Sequence, residues 1–128
     1  EVLIEDIADI YELKYFHVST GNSILPTATV RLLRDGKIYE DAACGDGPVD
    51  AIFNTIDRIT GAKVKLSDYN IRALTRGKDA QGEAMVEIKD NGCSYIGKGV
   101  STDTLEASTK AYLKAINKML STQLMCNK

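Results

Sequence analysis

Two short runs in this chain of 128 residues carry residue types that can bind or react. They are Gly45-Asp46-Gly47-Pro48-Val49-Asp50-Ala51 and Gly97-Lys98-Gly99-Val100-Ser101-Thr102-Asp103. A glycine-rich turn running into a helix presents unpaired backbone N–H groups and the positive end of the helix dipole. Such an end accepts a carboxylate or a phosphate. The competing reading of both runs is ordinary turn and capping chemistry, with no ligand. Neither run is the Gly-Lys-Ser/Thr phosphate loop or the dinucleotide fingerprint, which disfavours nucleotides. Asp46 and Asp50 could act as a carboxylate pair, but acids at a helix start more commonly cap it. Asp46, Asp50 and Asp103 have no metal-ligand spacing. A nucleophile-and-base site is poorly served: there is no Gly-x-Ser-x-Gly, and His17 is the one histidine. Cys44, Cys93 and Cys126 fit neither a zinc pattern nor a disulfide framework and read as free thiols in a reducing, cytoplasmic setting.

The composition narrows the class. With 44% hydrophobic and 27% charged residues the chain is one globular domain's worth of protein. No apolar stretch is long enough to span a bilayer, and no secretory signal opens the sequence. The chain begins at Glu1 without a methionine, which reads as a processed form or a piece of something longer. A net charge of −2 argues against a nucleic-acid or anionic-membrane partner.

Both glycine-rich runs recur at equivalent places in an internal repeat. At an offset of 56 residues Gly21 lies over Gly77, Ala28 over Ala84, Val30 over Val86, Gly36 over Gly92, Tyr39 over Tyr95 and Ala51 over Ala107. Val18 with Leu74, Leu32 with Ile88 and Val49 with Leu105 are similar pairs, and the match needs no gap. Each unit reads as three strands and a helix. The first has strands over Leu13 to Ser19, Thr27 to Arg34 and Lys37 to Ala43, with an Asp35-Gly36 hairpin turn. Pro48 suits the first helical position. Val49, Ile52, Phe53, Ile56 and Ile59 form an apolar helix face, and Gly61 stops it. The second unit has strands over Tyr69 to Arg76, Glu83 to Lys89 and Cys93 to Lys98, with the turn at Asn91-Gly92. Asp103 and Glu106 read as a capping pair, and Leu105, Ser108, Tyr112, Ala115, Ile116 and Met119 form the inner helix face. The fold class is therefore α+β: two pseudo-twofold βββα units packed into one domain. Residues 1–10 read as a connector, with Val2 to Ile10 a short helix; 11–120 as the domain, made of units 11–61 and 67–119; and 121–128 as a C-terminal tail. Leftover apolar surface on such a unit makes it a candidate for homodimerisation. Three strands and a helix also resemble a double-stranded-RNA module, but Asp103 and Glu106 stand where that module needs lysines.

Three runs together carry a closer resemblance: Gly45 to Ala51, Gly77-Lys78-Asp79-Ala80-Gln81-Gly82-Glu83, and Gly99 to Asp103 with Glu106-Ala107-Ser108. In type, order and spacing they resemble the C-terminal regulatory domain of 2-isopropylmalate synthases, and the similar domain of citramalate synthases. The resemblance spans about Tyr11 to Met119. It implies a dimeric, non-catalytic domain of two βββα units that binds an end-product amino acid for feedback inhibition. The amino acid would be L-leucine in the first family and isoleucine in the second. The family's catalytic barrel, with its divalent metal, needs about 250 residues. It would be a partner outside this chain, and no cofactor is expected here. Carried over by position, the effector site would use Gly45, Asp46, Gly47, Pro48, Val49 and Asp50, then Leu66, Tyr69 and Ala73, then Val100 and Thr102. Amides at the helix start would take the effector carboxylate and Asp46 or Asp50 its ammonium. Leu66, Tyr69, Ala73 and Val100 would line the side-chain pocket; read without the resemblance, the first three are ordinary strand core. A purely structural dimerisation module is the rival from another class.

Burying a leucine side chain yields about 1.5–3 kcal/mol, whereas micromolar binding needs about 8. The charged ends must therefore supply most of the affinity.

Overall fold

A computed structural model describes residues 10–21, 24–74, 77 and 80–126. The expected helix over Val2 to Ile10 lies outside them except at Ile10, which is a bend. The chain divides into two compact units, one over Glu12–Lys63 and the other holding Tyr11 with the residues from Val64 onward. Each is a three-stranded antiparallel sheet followed by a helix, the α+β, twice-βββα fold that the repeat predicts.

In the first unit β1 (Glu12–Gly21), β2 (Ile24–Arg34) and β3 (Lys37–Cys44) pair in that order, and α1 (Pro48–Thr60) covers one face. Every second residue of central β2 is driven inward: Ala28, Val30 and Leu32 are fully buried, with Ala51, Ile52 and Ile56 of α1 above them. Val49 and Ile59 of the expected face are half-buried at its ends. Buried Thr55 ties helix to sheet: its hydroxyl lies 2.7 Å from the Ala51 carbonyl and 3.0 Å from that of Ala28. Asp35 and Gly36 both have positive φ, 52° and 75°, the paired left-handed turn that lets two twisted strands meet. β2 begins three residues earlier than predicted because Pro26 sits where the pairing with β1 is irregular, a place that tolerates its missing N–H. Gly61 ends α1 in the left-handed conformation, its N–H on the Asp57 carbonyl at 2.8 Å.

The second unit repeats the plan with β4 (Lys65–Ala73), β5 (Gly82–Asp90), β6 (Cys93–Ser101) and α2 (Thr104–Cys126). Ala84, Val86 and Ile88 are fully buried, as are Ala107, Ala111, Ala115 and Ile116 of the helix. α2 lies over β5 and β6. Gly97 and Gly99 allow that approach. A Cβ on either would fall 2.1 or 2.4 Å from a carbonyl oxygen of α2, at Ala111 and Ala107. Two glycines of the second glycine-rich run thus serve helix-on-strand packing.

Besides shifts of a few residues at other strand ends, three differences from the sequence reading change what the second unit contains. The fourth strand starts at Lys65 and stops at Ala73, rather than covering Tyr69 to Arg76; Arg76 lies outside the described residues. Val18 pairs with Ala28, ten residues on, whereas Ile71 pairs with Ala84, thirteen on. The first hairpin of the second unit is therefore three residues longer, and the ungapped repeat displaced strand four by that amount. A surface loop absorbs such a difference without disturbing the paired strands. Second, α2 runs on to Cys126, so 121–126 are helix and not tail: Ser121 is buried, and Gln123 donates to Asp90 at 2.9 Å. Third, Tyr11 groups with the second unit, where its peptide is held by Asn117.

Candidate functional site

The first junction is built by close approach. Gly45 donates its N–H to the Pro26 carbonyl at 3.0 Å. A Cβ on Gly45 would fall 2.4 Å from the Ala51 nitrogen, so only glycine passes under the first turn of α1. Gly47 is the N-cap, in extended conformation, and supplies no side-chain hydrogen bond to the helix start. Pro48 follows at the first helical position, and Val49 is half-buried behind it. Asp46 and Asp50 are both exposed, and Asp50 folds back to accept the Asp46 N–H on Oδ2 at 2.8 Å. The two acids are thus joined through a backbone amide and a single carboxylate.

The second junction is closed by its own side chains. Asp103 Oδ1 accepts the Leu105 N–H at 3.0 Å, a direct N-cap. Glu106 does not return to the cap amide as a capping box would. Instead the Asp103 N–H donates to Ser101 Oγ at 3.1 Å, and that hydroxyl donates to Glu106 Oε1 at 3.1 Å. Lys110 holds the other carboxylate oxygen at 2.9 Å. The hydrogen bonds from Lys110 and Ser101 hold the Glu106 carboxyl below its ordinary range. The helix start that lacks a side-chain cap is the first, although the Asp50 carboxylate in its first turn already takes the neighbouring Asp46 N–H.

The strand residues separate by face. Directly opposed residues of an antiparallel pair share a face. Leu66, Tyr69, Ile71 and Ala73 oppose Ile88, Val86, Ala84 and Gly82, so all four stand on the helix side of the sheet. α2 leaves β4 partly uncovered: Leu66 is 44% exposed and Ile71 41%. Leu66, Tyr69 and Ala73 thus share one face of β4, as an open row and not as buried core, with Leu66 and Ala73 at its two ends roughly 23 Å apart. The Tyr69 hydroxyl lies 2.7 Å from Ser108 Oγ. Ser108 commits its one proton to the Thr104 carbonyl at 2.8 Å, so Tyr69 is the donor. Val100 opposes Glu83 and stands on the other face of the same sheet; Thr102 is an exposed bend before α2. Sequence reasoning missed Ile71, which strict alternation from Tyr69 to Ala73 places in the row, and Ser108, whose pairing with Tyr69 has no sequence signal.

Elsewhere, His17 is exposed, with Nε2 3.3 Å from Ser19 Oγ. Cys44 and Cys93 are free and exposed. Among the described residues no cluster of His, Cys, Asp or Glu could hold a metal ion, and no helix is long and apolar enough to cross a membrane.

The match to known proteins is extensive. The family model described as the LeuA allosteric (dimerisation) domain matches residues 1–120. The chain is 56% identical over 119 residues to a 2-isopropylmalate synthase of Carboxydothermus hydrogenoformans, covering 91% of this chain and 23% of that protein. It is 51% identical over 116 residues to one from Halothermothrix orenii, covering 89% and 22%, and 47% identical over 125 to one from Pelotomaculum thermopropionicum, covering 94% and 25%. The chain spans about a quarter of the length of these relatives. With a duplicated βββα plan and a match over nearly all its residues, the chain belongs to the LeuA allosteric (dimerisation) domain family.

Proposed function

We propose that this chain is the feedback-regulatory part of a 2-isopropylmalate synthase, that it binds L-leucine, and that it acts as a homodimer. It would carry no catalysis of its own; condensation of acetyl-CoA with a 2-oxo acid would belong to the remaining three-quarters of such an enzyme, in the cytoplasm. The observation that carries the reading is the open row of Leu66, Tyr69 and Ala73 on the helix side of β4. An apolar row of that kind suits an aliphatic side chain, and Tyr69 is fixed in place by Ser108. The start of α1, without a side-chain cap, suits a carboxylate, and the Asp46–Asp50 turn brings negative charge that suits an ammonium group. Relatives named 2-isopropylmalate synthase favour leucine over isoleucine as the effector.

The test is calorimetric titration of the chain with L-leucine, L-isoleucine and L-valine, with light scattering at micromolar concentration. Saturable leucine binding, weaker isoleucine binding and a dimer are expected. Preference for isoleucine would move the chain to the citramalate synthase branch. No heat from any of the three would leave a structural dimerisation module.

A further inference from the structure

β4 is an edge strand, and among the described residues β5 is its one paired neighbour. The Leu74 N–H donates to the Gln81 carbonyl at 2.8 Å, in the register that sets Ala73 against Gly82. Peptide groups alternate in direction along an antiparallel strand. Those of Arg72, Asn70 and Asp68 therefore point at β5. Those of Ala73, Ile71 and Tyr69 point the other way, along the open edge. Asp68 Oδ1 meets the Tyr69 N–H there at 2.9 Å.

The side chains along this edge are self-complementary. Asp68, Asn70 and Arg72 stand on the face turned away from α2, opposite Glu87, Met85 and Glu83. Arg72 donates from Nε to Glu83 at 2.8 Å and is still 67% exposed. Asp68 faces a like charge in Glu87, which is unfavourable, and among the described residues no cation pairs with it. A twofold axis through Asn70 would lay a second copy of β4 antiparallel to the first. Asp68 then opposes the partner's Arg72, and Tyr69 opposes the partner's Ile71. Axes through Tyr69 or Ile71 keep the peptide directions but set Asp68 against Asn70 or Leu74. The other edges lack this match. On β3, Asp41 takes the Ala42 N–H and Asn54 the Cys44 carbonyl, and an axis at its middle opposes Glu40 or Asp41 to itself. On β6, Lys118 holds the Ile96 carbonyl at 2.6 Å. β1 has no Asp, Glu, Lys or Arg from Tyr15 to Gly21.

We propose that two copies of the chain join through β4, antiparallel about Asn70, so that two three-stranded sheets become one. The proposal rests on the homodimer reading above and names its surface. On pairing, the Tyr69 N–H passes from Asp68 to the carbonyl of the partner's Ile71, and the Asp68 carboxylate turns to the partner's Arg72. Ile71, 41% exposed in one copy, gains the partner's Tyr69 as a neighbour on the helix side.

The experiment is disulfide trapping of the whole chain, after Cys44, Cys93 and Cys126 are replaced by serine. The Asn70 pair would be a non-hydrogen-bonded one, with Cα atoms about 4.5 Å apart, within disulfide reach. Asn70→Cys is expected to give mostly cross-linked dimer under mild oxidation. His17→Cys and Asp68→Cys, the latter about 13 Å from its own copy in this register, are expected to give little. Asp68→Lys in the native chain is expected to weaken the dimer about tenfold in sedimentation. The native chain supplies a readout without substitution: amide exchange at Ile71, followed by mass spectrometry, should speed about tenfold on dilution from dimer to monomer. A dimer in light scattering that traps poorly at position 70, or better at 17 or 68, overturns the β4 pairing and leaves the homodimer reading standing. So does Ile71 exchange that is unchanged by dilution. A chain that stays monomeric at micromolar concentration overturns the homodimer reading, and the pairing with it.

Discussion

Gly97 lies so close beneath α2 that a Cβ built on it would fall 2.1 Å from the Ala111 carbonyl oxygen and 2.6 Å from the Ala115 nitrogen. Both obstacles are helix backbone, so the helix itself would have to lift. Gly97→Ala is therefore expected to destabilise the chain by about 1–3 kcal/mol or more, as overpacking does. Gly92→Ala is the control. Nothing lies within 4 Å of its Cβ, and only the left-handed φ of 82° opposes the change, at roughly 1–2 kcal/mol. Urea unfolding of both variants checks the order; a larger loss at Gly92 would show that α2 yields to Gly97 at little cost.

The same glycine shows how far the sequence could be read. In sequence Gly97 and Gly99 read equally as part of a ligand-binding turn, because glycine before a helix has two uses that composition cannot separate: room for a ligand, or room for a helix. The fold class, the two hairpin turns and the buried triplets Ala28, Val30, Leu32 and Ala84, Val86, Ile88 were legible, because alternation and Asp-Gly or Asn-Gly turns are local signals. The fourth strand was displaced because Ser67 and Asp68, at an irregularity in the pairing, interrupt its alternation, and because a three-residue loop difference leaves no mark in an ungapped repeat. The Tyr69–Ser108 and Tyr11–Asn117 pairings join residues 39 and 106 positions apart, beyond any local pattern.

Asp50 combines a structural bond with a charge, and two substitutions separate them. Asp50→Asn keeps an acceptor for the Asp46 N–H, now met at 2.8 Å, and removes the negative charge. Under the effector reading it is expected to weaken leucine at least tenfold, about 1.4 kcal/mol, with the melting temperature nearly unchanged. Asp50→Ala also loses the bond and should cost about 0.5–2 kcal/mol of stability. Leucine affinity intact in both would remove Asp50 from ammonium recognition.

Ala73 is the small member of the open row on β4, opposite Gly82. Small residues at both places leave room for branching far from the amino acid's α-carbon. Ala73→Val is expected to weaken leucine more than isoleucine, shifting the ratio of their affinities by about 1–3 kcal/mol. Titration of the variant with each amino acid gives the ratio directly. An unchanged ratio would take Ala73 out of the choice between them.

Glu106 gives the second junction a pH dependence of definite sign. Hydrogen bonds from Lys110 and Ser101 hold its carboxyl below the ordinary value of about 4.3. As pH falls the unfolded chain therefore takes up this proton before the folded one does. The stabilisation from Glu106 is whole above the unfolded value and disappears as pH drops through the lower folded one. Its side chain is 39% exposed, so solvent screening keeps the contribution small. Glu106→Gln is expected to lower the urea midpoint at pH 7, and the gap to the wild type is expected to narrow as pH falls below the unfolded value of about 4.3. A gap that does not change with pH would mean that the side chain acts by packing, and that the charge in the Ser101–Glu106–Lys110 chain contributes nothing to holding the start of α2.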